Sequence, residues 1–184
     1  MKRIVDILLS IIGLVCLLPF FVVIALIITI DNFGPVFYKQ QRVGLNGQLF
    51  GLYKFRSMKI NADKIGPYFT SENDPRITSV GKWLRRLSID ELPQLINVLL
   101  GHMSVVGPRP NVPQQRELYS ESSWTKRNSV RPGITGLAQA TKRSSATEKE
   151  REALDLEYVD KHNVVFDLKI IFMTIEQVVL KGGN

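Results

Sequence analysis

The chain opens on 24 consecutive residues without a charge, Ile7 to Ile30. As one helix they would be about 36 Å long, enough for a bilayer core of about 30 Å. Pro19 sits in the middle, removes an amide donor and predicts a kink or break there. The run exceeds a signal-peptide core and no small-residue cleavage site follows, which predicts a retained segment. Beyond the Asn32-Phe33-Gly34-Pro35 turn, two stretches of partial alternation, Val36 to Val43 and Gln48 to Arg56, flank Gly44-Leu45-Asn46-Gly47 and predict a β-hairpin. Residues 60–76 are polar and irregular, a loop or a short helix. Val80, Trp83, Leu84 and Leu87 have helical spacing. A second helix is expected from about Asp90 to Leu100, stopping at Gly101. Residues 113–128 read as helical, Arg131 to Gly136 as a rigid turn, Glu148 to Asp160 as an exposed charged helix. Asp167 to Leu180 is apolar around most of its circumference, so it must be buried or lie on lipid. The fold class is mainly α with a small β-hairpin.

Charge changes the picture. Residues 1–60 carry net +5, residues 61–143 another +5, and residues 144–184 net −3. A basic body behind an apolar segment suits an anionic membrane face or anionic substrates; ordinary solubility charge is the plainer alternative. Lys2 and Arg3 precede the apolar run, and Lys39, Arg42, Lys54, Arg56 and Lys59 follow it. Both flanks therefore favour the same side of a membrane. A re-entrant helix broken at Pro19 and a kinked span remain equally open on these features. With 45% hydrophobic residues the chain is not disordered. One cysteine excludes a disulfide framework, and two histidines 60 positions apart argue against a His-built metal site. Neither GxxxxGK[ST] nor GxGxxG occurs, and no nucleic-acid partner is expected.

Two constellations could carry chemistry. Asp90-Glu91 stands close to Arg85 and Arg86, at an expected helix start that favours anions. Ser88-x-x-Glu91 also fits a capping box, and plain capping is the competing reading. The functional reading is a carboxylate kept ionised, able to hold Mg²⁺ or attack phosphorus. In Gly107-Pro108-Arg109-Pro110, two prolines restrict the backbone around one guanidinium, a geometry suited to bidentate phosphate binding, with a tight turn bearing a solvated arginine as the competing reading. Lys54-Phe55-Arg56 and Arg131-Pro132-Gly133 offer further cations beside backbone of limited freedom.

Several stretches resemble the bacterial sugar transferases, the monotopic phosphoglycosyl transferases, in the family's order. They are Gln41-Arg42-Val43-Gly44, Tyr53 to Met58, Gly81 to Arg86, Asp90 to Val98, Met103 to Pro110, Arg131 to Gln139 and Asp167 to Ile171. The resemblance covers nearly the whole chain and matches the minimal form. It implies transfer of a sugar-1-phosphate from a UDP-sugar, N-acetylated or not, to a polyprenol phosphate such as undecaprenyl phosphate, with Mg²⁺ and release of UMP. Asp90 would be the nucleophile, with Glu91 supporting the metal or the geometry. Arg109 would bind phosphate, with Lys54, Arg56, Arg86 and Arg131 as further anion-binding candidates. It also implies a re-entrant membrane helix over residues 1–32, broken at Pro19, and a catalytic domain with interfacial helices over 33–184. That domain would face the cytoplasm on inner-membrane lipids, with a homodimer left open. His102, Leu137, Lys142-Arg143, Thr147 and the end at Asn184 depart from the common pattern, where sugar recognition could be tuned. A lipid-binding module without catalysis and a phosphohydrolase are the rival classes.

Overall fold

The computed structural model describes residues 1–66, 74–142 and 145–181. Arg143 and Asn184 lie outside them, as do residues 67–73 of the stretch expected to be irregular. The uncharged run forms one helix, α1 (Lys2–Asp31), with Pro19 inside it. The expected break at Pro19 is not observed. One missing amide donor interrupts a single hydrogen bond, and the long helical runs on both sides carry across it. Among the described residues this is the one helix long and apolar enough to cross a membrane.

The packing of α1 is inverted relative to a soluble core helix. Its buried residues are Asp6, Ser10, Ile24 and Ile28. Ile4, Leu8, Ile12, Val15, Leu18, Val22 and Leu26 face outward. Both ends are tied to the rest of the molecule. At the N-terminal end Lys2 pairs with Asp167, donates to the Val106 carbonyl at 3.0 Å and to the Tyr158 hydroxyl at 3.1 Å. Asp6 accepts from Ser104 Oγ and from the Val105 amide at 3.0 Å. At the other end Ile24 and Ile28 pack with Phe55 and Leu84, Phe21 meets the Phe55 ring edge-on at 5.0 Å, and Arg56 donates to the Asn32 carbonyl.

The hairpin forms as expected. Strands β1 (Phe37–Val43) and β2 (Leu49–Phe55) are antiparallel, with Tyr38 opposite Lys54 and Arg42 opposite Phe50. Asn46 and Gly47 take φ values of 52° and 79° in the turn, where a two-sided pleat must reverse. Short helix α2 (Ala62–Ile65) and helix α3 (Ser79–Arg86) follow, the latter capped by Thr78 Oγ1 on the Gly81 amide.

The expected helix from Asp90 is split. Ile89–Glu91 is a 3₁₀ turn and α4 covers only Gln94–Leu99. Pro93 has no amide to give the Ile89 carbonyl, which takes the Leu92 amide at 3.1 Å instead. Ser88 sits at φ 57° and its side chain caps nothing, so the capping box does not form. Gly101, at φ 87°, follows the end of α4 as expected.

The segment Arg131–Gly136, expected to be a turn, contains β4 (Gly133–Thr135), which runs parallel to β3 (Ser104–Val106). Three-residue strands carry no readable period, and their pairing is long-range. Gly133 is required at this contact, because a Cβ there would lie 2.0 Å from the Gly107 nitrogen. The remaining elements are a 3₁₀ turn at Pro113–Leu118, α5 (Glu121–Arg127), α6 (Leu137–Thr141), α7 (Glu148–Lys161) and α8 (Val164–Lys181). α8 buries Ile170 and Asp167 against the core of Val106, Leu137, Ala140 and Tyr158. Its Val165, Leu168, Phe172 and Ile175 face outward. The described residues are mostly helical, with two small sheets among them where one hairpin was expected.

Candidate active site

Four chain segments meet around Glu91. The 3₁₀ turn presents Asp90 and Glu91, because the left-handed Ser88 turns the chain sharply after α3. Cross-strand pairing in the hairpin puts Tyr38, Gln40, Arg42 and Lys54 on one face. The Gly107–Asn111 segment supplies Arg109. Arg109 grips Glu91 with both nitrogens, Nη2 to Oε1 at 2.6 Å and Nη1 to Oε2 at 3.1 Å. Lys54 Nζ donates to Oε1 at 2.8 Å. The pairing is largely shielded at Lys54 and Glu91, whose side chains are 14% and 18% exposed, while Arg109 keeps 40% exposure.

The two carboxylates are driven apart electrostatically. Burial pushes Glu91 up, but Arg109 and Lys54 outweigh it and hold the carboxyl well below the ordinary Glu value. Asp90 is 5% exposed. Burial raises its pKa; Lys54, Arg85 and Arg109 oppose that shift, and the neighbouring Glu91 adds to it. No α-helix starts at Asp90, so the helix-start contribution expected there is absent, and burial shifts its pKa upward from the ordinary Asp value. Among the described residues the Asp90 carboxylate has no hydrogen-bond partner, whereas Glu91 has three.

The expected site residues divide. Lys54 and Arg109 converge with Asp90 and Glu91. Arg56 does not: it is buried at the C-terminal end of α1, on the Asn32 carbonyl. Arg131 holds the Gly101 carbonyl through Nε at 2.9 Å, and Arg86 is exposed at the end of α3. It is the Arg85 charge that acts on Asp90, while Arg85 Nε donates to Ser57 Oγ. Pro19 lies within α1. One site cation was missed as such. Arg42 donates to the Pro110 carbonyl at 3.0 Å and to Gln40 Oε1 at 2.7 Å, and its buried Nε has no partner among the described residues. Burial, then the neighbouring Arg109, lower its pKa to about 10. Strand parity gives the signal: with the turn centred at Asn46, Arg42 and Lys54 fall on the same face.

Arg42, Lys54 and Arg109 outnumber the two acids, so the site attracts anions. Among the described residues no three of His, Cys, Asp and Glu converge as a metal cage. The donor set nevertheless fits Mg²⁺, which takes one or two carboxylates and completes its shell with water and phosphate oxygens. Among the described residues Asp90 is unpartnered, and Glu91 Oε2 accepts one bond. The departures from the common pattern have structural contacts: His102 stacks on Phe50 at 5.5 Å, Leu137 is in the core, Lys142 pairs with Glu150, and Thr147 caps α7.

A family model described as bacterial sugar transferase matches residues 1–181. The chain is 45% identical to the exopolysaccharide production protein PSS of Rhizobium leguminosarum bv. phaseoli, over 99% of this chain and 96% of that protein. It is 44% identical to an undecaprenyl-phosphate glucose phosphotransferase of Komagataeibacter xylinus, over 96% of this chain and 35% of the relative. It is 43% identical to the UDP-glucose:undecaprenyl-phosphate glucose-1-phosphate transferase of Escherichia coli K12, over 95% of this chain and 39% of the relative. The chain thus spans between a third and two fifths of those two longer relatives.

Proposed function

Since the chain belongs to the bacterial sugar transferase family, we propose that it transfers a sugar-1-phosphate from a UDP-sugar to undecaprenyl phosphate, releasing UMP. The observation that carries this reading is the division of labour at Asp90-Glu91: one carboxylate is held by two cations, and its neighbour, without a hydrogen-bond partner among the described residues, lies in the field of Lys54, Arg85 and Arg109. Asp90, once ionised, attacks the sugar-bearing phosphorus. The bond to the UMP oxygen breaks, leaving an aspartyl phosphosugar. The polyprenol phosphate oxygen then attacks the same phosphorus, the Asp90–phosphorus bond breaks, and a polyprenyl diphosphosugar forms. Arg109, Lys54 and Arg42 neutralise diphosphate charge. Asp90 and Glu91 would hold Mg²⁺, which when bound offsets charge on the phosphoryl oxygens.

The inverted packing of α1 supports a membrane environment, since outward Leu, Ile and Val side chains need an apolar surrounding. Attachment of both its ends to one body supports a monotopic arrangement over a bitopic span, with residues 33–184 as the catalytic domain; re-entry would require α1 to bend at Pro19, where one helix hydrogen bond is missing. Basic flanks favour the cytoplasmic face of the inner membrane. α8, with apolar residues outward, would lie in the interface.

The test is intact-protein mass spectrometry after incubation with UDP-sugar and Mg²⁺ without lipid phosphate. A phosphosugar adduct on the Asp90 peptide, absent in Asp90→Asn and discharged by undecaprenyl phosphate, is expected. An adduct elsewhere, or normal turnover by Asp90→Asn, overturns the nucleophile. Sugar-1-phosphate released with no lipid product favours a phosphohydrolase, and no UMP release with any UDP-sugar favours a lipid-binding module.

A further inference from the structure

The segment carrying Arg109 is held in an unusual way. Pro108 and Pro110 have no amide hydrogen, so this stretch is short of donors and cannot brace itself as a helix or a central strand. It is fixed through its acceptors instead. Four successive carbonyls each receive a hydrogen bond, from three distant parts of the chain. Pro108 O accepts from the Gly133 amide at 3.0 Å, and Asn111 O accepts from the Val43 amide at 2.9 Å. Pro110 O accepts from Arg42 Nη1 at 3.0 Å. Arg109 O accepts from Arg127 Nη2 at 2.5 Å.

Arg127 differs from the other three donors. It is the largest fully buried side chain described, at 1% exposure, and its partner Asp155 is also 1% exposed. Arg127 Nε reaches Asp155 Oδ2 at 2.9 Å, Nη2 reaches the same oxygen at 2.8 Å, and the guanidinium lies 5.6 Å from the Tyr119 ring centroid. Burial raises the Asp155 pKa, and Arg127 opposes it. A buried ion pair is a poor source of stability, because apolar residues of equal volume do as well or better. What it supplies here is direction. Asp155 on α7 fixes the guanidinium plane through Nε and Nη2, and the same Nη2 also lands on the main-chain carbonyl of the residue whose own guanidinium grips Glu91.

We infer that Arg127 and Asp155 are positioning residues that act through Arg109. Their charge pair sets the Arg109 backbone, and thereby the fork that meets Glu91 and, on the reaction proposed above, substrate phosphate. Neither touches the reacting atoms.

Two variants test this. Arg127→Lys keeps the charge opposite Asp155 but loses the planar fork that spans two acceptors. Asp155→Asn keeps an acceptor for Arg127 and removes the fixing charge. The first readout does not depend on any reaction: phenylglyoxal labelling of Arg109, quantified by peptide mass spectrometry against Arg116, whose side chain has similar exposure and is also ion-paired. The Arg109-to-Arg116 ratio should rise severalfold in both variants as Glu91 loses its hold. An unchanged ratio, or a rise shared by all arginines, overturns the inference in favour of a merely structural pair. The second readout rests on the proposed reaction. Arg127→Lys should lower kcat/KM for UMP release about tenfold, close to 1.4 kcal/mol, in the wild-type background, but barely in an Arg109→Ala background. Equal losses in both backgrounds overturn it. Absence of UMP release by the wild-type protein would sink the proposed reaction while the labelling result still decides the positioning role.

Discussion

Replacing Glu91 with Gln keeps the shape of the side chain and removes one charge from the centre of the cation cluster. Lys54 and Arg109 then lose their shared counterion. Breaking a fully buried pair costs about 3–5 kcal/mol. The Lys54 contact is close to that limit, with side-chain exposures of 14% and 18%, but the Arg109 contact, 40% exposed on the cation side, must be discounted for solvent screening. Asp90 also gains, since a like charge beside it disappears. The net cost is about 2–3 kcal/mol. For a chain of 184 residues, at roughly 2–4 °C per kcal/mol, the melting temperature should fall by about 4–12 °C. Tryptophan fluorescence during heating in nanodiscs reads this without any substrate. The pH dependence gives a second handle. Glu91 has a folded-state pKa below its unfolded value, so its contribution is complete above the ordinary Glu pKa and is lost as pH falls through the folded value. The gap between wild type and Glu91→Gln should therefore be widest near neutrality and close in acid. Equal melting temperatures at neutral pH, or a gap that grows on acidification, would refute the claim that Glu91 is the charge on which the cluster is built.

With Cys16 replaced by Ala, a cysteine placed immediately before Met1 and another at Gln41 should both react with impermeant maleimide from the cytoplasmic side; reaction from opposite sides would sink the re-entrant anchor. Gly107→Ala should be severely destabilised and inactive, because its Cβ would meet the Arg131 carbonyl oxygen at 2.4 Å and the Gly133 nitrogen at 2.8 Å, atoms of backbone that cannot yield without parting β3 from β4. The three atoms nearest a Cβ at Gly51 belong to the flexible Lys39 side chain, so Gly51→Ala should melt closer to wild type; comparable losses for the two would contradict this packing.

What could be read from the sequence was what repeats locally. The hairpin was legible because alternation and a Gly-Leu-Asn-Gly turn fix register between neighbours, and α1 because 24 uncharged residues admit little else. Asp90, Glu91, Lys54 and Arg109 could be singled out from charge beside restricted backbone. The β3–β4 pair was not legible: Ser104–Val106 and Gly133–Thr135 are too short for a period, and only their approach in space identifies them. Arg56, Arg86 and Arg131 resembled site cations because composition says nothing about direction. The structure spends Arg56 on the end of α1 and Arg131 on the Gly101 carbonyl. Arg127 and Asp155 stand 28 positions apart in elements that look ordinary and exposed, and nothing local marks them as a buried pair.

The donor-poor Gly107–Asn111 segment has a consequence for spectroscopy. Amide hydrogen exchange, the usual monitor of local opening, finds no exchangeable proton at Pro108 or Pro110, and the Gly107 amide reports on its bond to Thr135 rather than on the Arg109 carbonyl. The Gly133 and Val43 amides would report parting from the Pro108 and Asn111 carbonyls, but no amide reads the Arg109 carbonyl, whose donor is a guanidinium. The acceptor side is where a signal exists. A ¹³C label in the Arg109 carbonyl moves its infrared band away from the bulk of the backbone, and the frequency of that band follows the strength of the bond from Arg127. Loosening of that single contact during turnover would register as a shift to higher wavenumber, at a bond that amide exchange does not read.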